Sequence, residues 1–167
     1  MTSLRHLDLS HNYFNSSIPE WLYNFSTLQV LRLYGNELQC DISSGIFNIR
    51  TLSELDLSWN DLEGKLPRVA GKLCKMRSID LSGIRLNQDI SQNFEILSVC
   101  SSPRLESLAF SSNSISGPIP TSLGQLANLE WVDISNNLLK GVVSEKHFAN
   151  LTKLWDFRGS NGFKRQS

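Results

Sequence analysis

Apolar residues recur along this chain in a fixed frame rather than in helical or simply alternating runs. From Leu105 to Asn128 the order is L-x-x-L-x-F-x-x-N-x-I-x-G-x-I-P-x-x-L-x-x-L-x-x. Copies of it start at Leu4, Leu28, Leu52, Met76, Leu105 and Leu129, with a partial copy at Leu154, so successive starts lie 24, 24, 24, 29, 24 and 25 residues apart. Within the first copy Leu7 and Leu9 alternate with His6, Asp8 and Ser10, which predicts a short strand buried on one side. The same alternation returns at Leu31 and Leu33, Leu55 and Leu57, Ile79 and Leu81, Leu108 and Phe110, and Val132 and Ile134. Every copy enters in the same direction, so stacking them predicts a parallel sheet with strands about 4.8 Å apart. The apolar members point into a shared core, and the residues between them face outward onto a surface that becomes concave. Asn12, Asn36, Asn60, Asn113 and Asn137 fall where each copy turns. Stacked amides there can satisfy backbone groups that the turn would otherwise bury unpaired. A second apolar pair, such as Ile18 and Leu22, brings the chain back over the convex side.

A period of this length with this Leu and Asn frame is the signature of leucine-rich repeats. The predicted fold is an α/β-type leucine-rich repeat solenoid, with a curved parallel β-sheet on the concave face and irregular or 3-10 turns on the convex face. Residues 1–167 form a single array of about six repeats and a partial seventh. Repeat two carries Cys40 and Ser43 where the frame has Gly and Pro, and repeat three has Ala70 at a core position. Repeat four places Ile84 where the frame has Asn and holds five extra residues ending in Val99-Cys100-Ser101-Ser102-Pro103. Repeat six has Val143-Ser144 for the Ile-Pro pair. The last repeat is expected to fail after Phe157, where Arg158-Gly159-Ser160-Asn161-Gly162 replaces strand and turn. Neither end reads as a cap, so the chain is expected to be a slice of a longer protein or a truncated gene product.

The frame L-x-x-L-x-L-S-x-N-x-L-x-G-x-I-P is similar to the plant-specific class of leucine-rich repeats, and Asn113 to Pro120 matches it most fully. The Leu97 to Ser102 run after Asp89-Ile90-Ser91, and the Gly141 to Leu154 stretch, resemble segments of the large plant receptor-like proteins. That resemblance covers residues 4 to 157. It implies a cell-surface glycoprotein that senses microbial or developmental ligands through its ectodomain, has a single membrane span and signals through a partner kinase. The partners it implies are a protein or peptide ligand and a co-receptor kinase of the parent protein, and the location is the extracellular side of the plasma membrane. This chain itself shows no signal peptide, no cysteine-paired caps and no apolar run of about 18 residues.

Two features bear on compartment. Cys74 and Cys100 fall on the convex return of neighbouring coils if the insertion of repeat four is absorbed before Cys100. They then lie within the roughly 4.4–6.8 Å between Cα atoms that a disulfide tolerates; the other reading is two thiols buried as small hydrophobes. Cys40 is left over. The sequons Asn15-Ser-Ser, Asn24-Phe-Ser and Asn150-Leu-Thr are candidate glycosylation sites on convex or connecting segments, although a chain rich in Asn and Ser yields some by chance.

Charge and motif content narrow the function classes. Sixteen basic and sixteen acidic residues give a formal net charge of zero, which argues against nucleic-acid binding through a basic face. His6, Asp8 and Ser10 share one strand, but Asp-x-Ser recurs at Asp56, Asp80 and Asp133 without the His, so the pair belongs to the repeat frame and not to a triad. His6, His11 and His147 have no metal-ligand spacing, and no Gly-rich phosphate loop follows a strand. No catalytic residue, metal site or cofactor is expected. Arg32, between Asp8 and Asp56, is expected to pair with these acids laterally.

Recognition is what remains, and the concave face is its surface. Most positions there are small and polar. Tyr34, Trp59 and Trp131 stand out, flanked by Arg32, Asp56 and Asp133, with the composition of interface anchors; the competing reading is that Tyr34 and Trp59 merely cover each other. Ile84 is read either as a deliberate loosening of the ladder or as drift, with Ile84→Asn expected to raise the melting temperature. Besides a receptor ectodomain, a secreted inhibitor of a microbial wall-degrading enzyme and a non-functional truncated product fit the same sequence.

Overall fold

A computed structural model of the chain describes residues 3–67, 73–91 and 102–165. Seven short parallel strands lie side by side in chain order: His6–Asp8, Val30–Arg32, Glu54–Asp56, Ser78–Asp80, Ser107–Ala109, Trp131–Asp133 and Asp156–Arg158. The register is one residue to one residue throughout, for example Leu7 to Leu31, Leu31 to Leu55 and Leu55 to Ile79. The five extra residues of repeat four leave it unbroken, since Ser78 still faces Ser107 and Ile79 still faces Leu108. Strand centres Leu31, Leu55, Ile79, Leu108 and Val132 are buried without remainder of any use to solvent, at 0–1% exposure. Leu4, Leu7 and Leu9 of the first coil are only half-buried, as expected where a coil has a neighbour on one side.

The return path uses 3-10 segments at Glu20–Asn24, Ile46–Asn48, Leu73–Lys75, Thr121–Gln125 and Glu145–His147. A tight helix suits a return of so few residues, and a 3-10 run is stable in short pieces. Between concave strand and 3-10 turn lies something the hydrophobic pattern did not predict, a second line of parallel pairing along the flank. Ser116–Gly117 pairs with Leu138–Leu139, and Gly141–Val143 with Phe163–Arg165, with single bridges at Asp41–Glu63, Gly64–Leu86 and Asp89–Ser116. The repeat's glycine belongs to this line. At Gly64 and Gly117 the backbone has φ of +94° and +89°, and a Cβ would fall 2.6 Å and 2.4 Å from the carboxylates of Asp41 and Asp89. Cys40 occupies the same place in coil two at φ +70°.

The stacked asparagines form a hydrogen-bond ladder. Asn36 Nδ2 donates to the carbonyls of Leu9 and Leu33 at 3.0 and 2.9 Å, and Asn60 Nδ2 to those of Leu33 and Leu57 at 2.9 and 3.0 Å. Their Oδ1 atoms accept from Phe14 and Leu38 N–H in the preceding coil. Each amide therefore stitches its own turn to its neighbour's, and strand-end carbonyls such as Leu33 and Phe110 receive two amides. Ile84 interrupts this and is fully buried. By register an asparagine there would serve the Leu57 and Leu81 carbonyls. Each already receives one amide, from Asn60 and Asn113, and Ile84 N–H donates to Asn113 Oδ1. The gap removes one rung's redundancy and leaves no strand-end carbonyl bare.

One expectation fails at the C-terminal end. The chain does not lose the frame after Phe157: Asp156–Arg158 forms a seventh strand and Phe163–Arg165 joins the flank. Ser160 stands in for the ladder amide, its hydroxyl accepting from Asn137 N–H and donating to the Ile134 carbonyl, both at 3.1 Å. A serine hydroxyl is donor and acceptor at once, so a coil that lacks the Asn can still be stitched. Ala70 and Cys100 lie outside the described residues. Cys74 is disulfide-bonded, whereas Cys40 is free and exposed.

Candidate ligand-binding face

The strands hold their outward residues in columns running across the coils. One column reads Asp8, Arg32, Asp56, Asp80, Ala109, Asp133 and Arg158. Its carboxylates also cap the strand ends. Asp56 Oδ1 accepts from the N–H and hydroxyl of Ser58 at 3.0 and 2.6 Å, and Asp133 Oδ1 does the same with Ser135. Asp8 and Asp80 accept from Ser10 and Ser82 N–H. The Asp-x-Ser pair is thus a turn device that fixes where each carboxylate points. In coil one Asp8 is engaged by Ser10 in this way, and the His6, Asp8 and Ser10 set lacks the directed chain of contacts a nucleophile would need.

Charge is balanced unevenly along the column. Arg32 reaches Asp8 at 3.9 Å and Glu54 at 3.4 Å, so the lateral pairing expected with Asp56 goes to Glu54 instead. Arg32 and Glu54 lie diagonally on adjacent strands, within reach of long side chains. No cation among the described residues comes within ion-pair distance of Asp56 or Asp80, which face each other in register. Burial holds the Asp80 carboxyl above the usual carboxylate range, outweighing hydrogen bonding from Ser82, and the charges of Asp56 and Asp133 push it the same way. These residues, with Asp8, Arg32, Tyr34, Glu54, Ser78 and Ser107, line an open hollow of about 430 Å³ on the concave side.

The aromatics owe their placing to a second column. His11, Gly35, Trp59, Gly83, Ser112 and Asn136 all have positive φ, between +51° and +65°. A residue there leaves the strand in the left-handed region, where Gly is indifferent and Asn and His are tolerated. The glycines do a further job. His11 lies over Gly35 and Trp59 over Gly83, where a Cβ would sit 3.0 Å from His11 Nδ1 and 2.8 Å from Trp59 Cε3. Tyr34 packs edge-on against His11 at 4.5 Å between ring centroids, so its ring partner is His11 and not Trp59. Trp59 is left 60% exposed on coil three, which also carries Glu54 and Asp56 of the hollow.

At the far end the same face closes on itself. Trp131 Nε1 donates to Asp156 Oδ2 at 3.1 Å, Arg158 pairs with the same oxygen at 3.0 Å, and its guanidinium lies 5.9 Å from the Trp131 ring. The partial copy opening at Leu154 puts Asp156 and Arg158 at outward strand positions, but the break expected after Phe157 kept both out of the sequence-derived site. Trp155 beside them is 74% exposed. His147 lies away from this face, buried where coils five and six meet, with its Nδ1 facing Ser144 N–H and its Nε2 facing the Ile119 carbonyl. Among the described residues no cluster of His, Cys, Asp and Glu could hold a metal ion, and no helix is long and apolar enough to cross a membrane.

The family descriptions "Leucine Rich Repeat" and "Leucine Rich repeat" match residues 3–25 and 104–126, and 48–65, respectively. Receptor-like protein 7 of Arabidopsis thaliana is 29% identical over 139 residues, which is 83% of this chain and 11% of that protein. The chain spans 8% and 11% of the lengths of the curated relatives it matches. Among solved structures it is similar to the plant peptide hormone receptor RGFR1 in complex with RGF2, with a TM-score of 0.82, 30% identity, and coverage of 97% of this chain and 25% of that one. It is also similar to the BIR3–SERK2 complex of Arabidopsis thaliana, with a TM-score of 0.64, 32% identity, and coverage of 83% and 69%. The repeat frame, the two columns of the concave sheet and these likenesses converge: the chain belongs to the leucine-rich repeat family, in the class found in plant receptor-like proteins.

Proposed function

We propose that this chain is a ligand-recognition segment of a plant receptor-like protein, reading an extended peptide or protein segment laid across the concave sheet on the extracellular side of the plasma membrane. The observation that carries this reading is the Asp56–Asp80 pair. Two carboxylates facing each other without a cation destabilise the fold, and burial of Asp80 adds to that. A basic group on a ligand would supply the missing charge through charge-assisted hydrogen bonds. Tyr34 and Trp59 offer apolar surface beside it, and Arg32 offers a donor for a ligand carbonyl or carboxylate. Trp131 and Asp133 lie four strands away from Arg32, roughly 19 Å at about 4.8 Å per strand, so a ligand touching both ends needs about six extended residues. The likeness to a plant peptide hormone receptor in complex with RGF2 supports a peptide as the ligand. A co-receptor kinase of the parent protein, and a role in defence or development, belong to this reading as its wider setting.

The test is selection of linear peptides from a random library on the immobilised full chain. Retained peptides are expected to be enriched in Lys or Arg, and Asp56→Asn or Asp80→Asn is expected to weaken them about tenfold or more, the effect of losing one hydrogen bond to a charged group. Equal binding to these variants, or to Trp59→Ala, would overturn the assignment.

A further inference from the structure

Outside the concave sheet, the 3-10 segment Glu20–Asn24 places an exposed asparagine beside an exposed tryptophan. Asn24 opens the sequence Asn24-Phe25-Ser26, and Ser26 is also exposed. Trp21 is 56% exposed, and Phe25 meets it edge-on at 5.7 Å between centroids, which fixes the indole's orientation. Between them and the next coil lies a shallow hollow of about 730 Å³, lined by Glu20, Trp21, Tyr23, Asn24, Ser43 and Ser44. Its chemistry is mixed in a particular way, with the exposed indole of Trp21 beside the half-buried Tyr23 ring and a rim of carboxylate, amide and hydroxyl groups. A pyranose has the matching character, an apolar C–H face edged with hydroxyls.

We infer that Asn24 carries an N-linked glycan whose first sugar lies in this hollow against Trp21. In the attachment step Asn24 Nδ2 forms a bond to C1 of the sugar of a lipid-linked diphosphate oligosaccharide. The C1–O bond to the diphosphate breaks, and one amide proton leaves with the diphosphate. The inference rests on the proposed function only in requiring that the chain pass through the secretory route. Asn150 gives an internal contrast. It holds the equivalent place in repeat six, with Asn150-Leu151-Thr152 exposed at both ends, but the residue three before it is the buried His147 rather than an exposed ring. A glycan there has no aromatic seat. Asn15 lies on the other flank, its Oδ1 accepting from Gln39 Nε2 at 2.7 Å. The sugar on Asn24 removes apolar surface from water at Trp21 and leaves the concave sheet bare.

The full chain, directed through the secretory route of plant or insect cells, is digested and its peptides weighed. A hexosamine-bearing peptide spanning Asn24 is expected, lost in Ser26→Ala. Trimming every glycan to its first sugar is expected to leave the melting temperature unchanged. Its absence in Ser26→Ala lowers that temperature by about 2–4 °C, the shift a single added contact gives in a domain of this size. Trp21→Ala erases the difference between the glycosylated and bare forms, and Thr152→Ala, which removes the Asn150 glycan, produces no comparable loss. Unglycosylated protein made in bacteria, wild type and Ser26→Ala, should melt together, which separates the sugar from the substitution. Secreted protein bare at Asn24, or a single-sugar form no more stable than Ser26→Ala, overturns the inference. Neither outcome touches peptide selection on the concave face, so the two readings fail separately.

Discussion

The concave sheet holds two clusters built on one framework, and they treat charge in opposite ways. At coils six and seven Trp131 donates to Asp156, Arg158 neutralises the same carboxylate and its guanidinium covers the indole, while Asp133 keeps its Ser135 donors. At coils three and four Asp56 and Asp80 face each other with only serine donors among the described residues. Register does not explain the contrast, because the strands pair one residue to one residue in both places. A cluster that closes on itself describes how the fold is held. On the proposed reading, the cluster that keeps an uncompensated charge against its own stability is the one that meets the ligand.

Substitutions can break or sharpen that contrast. The largest expected effect is on binding by Asp80→Asn, which should weaken a selected basic peptide by about tenfold to a hundredfold. Stability should move the other way. The folded-state pKa of Asp80 is raised, so its contribution is fully present below the unfolded carboxylate pKa near 3.9 and is lost as pH rises through the folded value. Asp80→Asn keeps the Ser82 hydrogen bond and removes that loss. Its denaturant midpoint should exceed wild type at pH 7, and the two should converge below about pH 4. A variant less stable than wild type at neutral pH would erase the distinction between the clusters.

Next in size is Gly83→Ala. The added Cβ meets the Trp59 ring at a position with φ +64°, and a loss of about 1–2 kcal/mol is expected by denaturation, with Trp59 emission shifted as the ring is displaced. In the closed cluster, Arg158→Ala should cost no more than about 1 kcal/mol, since the pair is exposed, and should leave peptide affinity within twofold. A tenfold loss there would show that the self-satisfied end also recognises ligand. Smallest is Ile84→Asn. Because Leu57 and Leu81 carbonyls each already hold one amide, the added rung should raise the melting temperature by the equivalent of about 1 kcal/mol or less.

The contrast also shows what the amino-acid sequence could reveal. The strands, their register and the ladder were legible because they follow from a strict repeat, in which each Leu and Asn is read several times over. Unique features were harder. The seventh strand was obscured because Ser160 replaces the ladder amide by different chemistry. The flank pairing has no apolar alternation to announce it, since its strands are held by glycine geometry at positions such as Gly64 and Gly117. In the candidate site, Tyr34, Trp59 and Arg32 could be picked out as residues unlike their column. Their partners could not, because whether Arg32 turns to Glu54 or Asp56, and whether Tyr34 packs on His11 or Trp59, depends on side-chain directions that spacing alone does not fix.

The most direct test of recognition at Asp56 and Asp80 is a double-mutant cycle by calorimetry. It compares a selected basic peptide and its Lys- or Arg-to-norleucine analogue on the wild-type chain and on Asp80→Asn. A coupling of about 1.5–3 kcal/mol between the peptide's cation and Asp80 is expected. Additivity within about 0.5 kcal/mol would mean that the cation is read elsewhere, and that the unpaired carboxylates are not the recognition site.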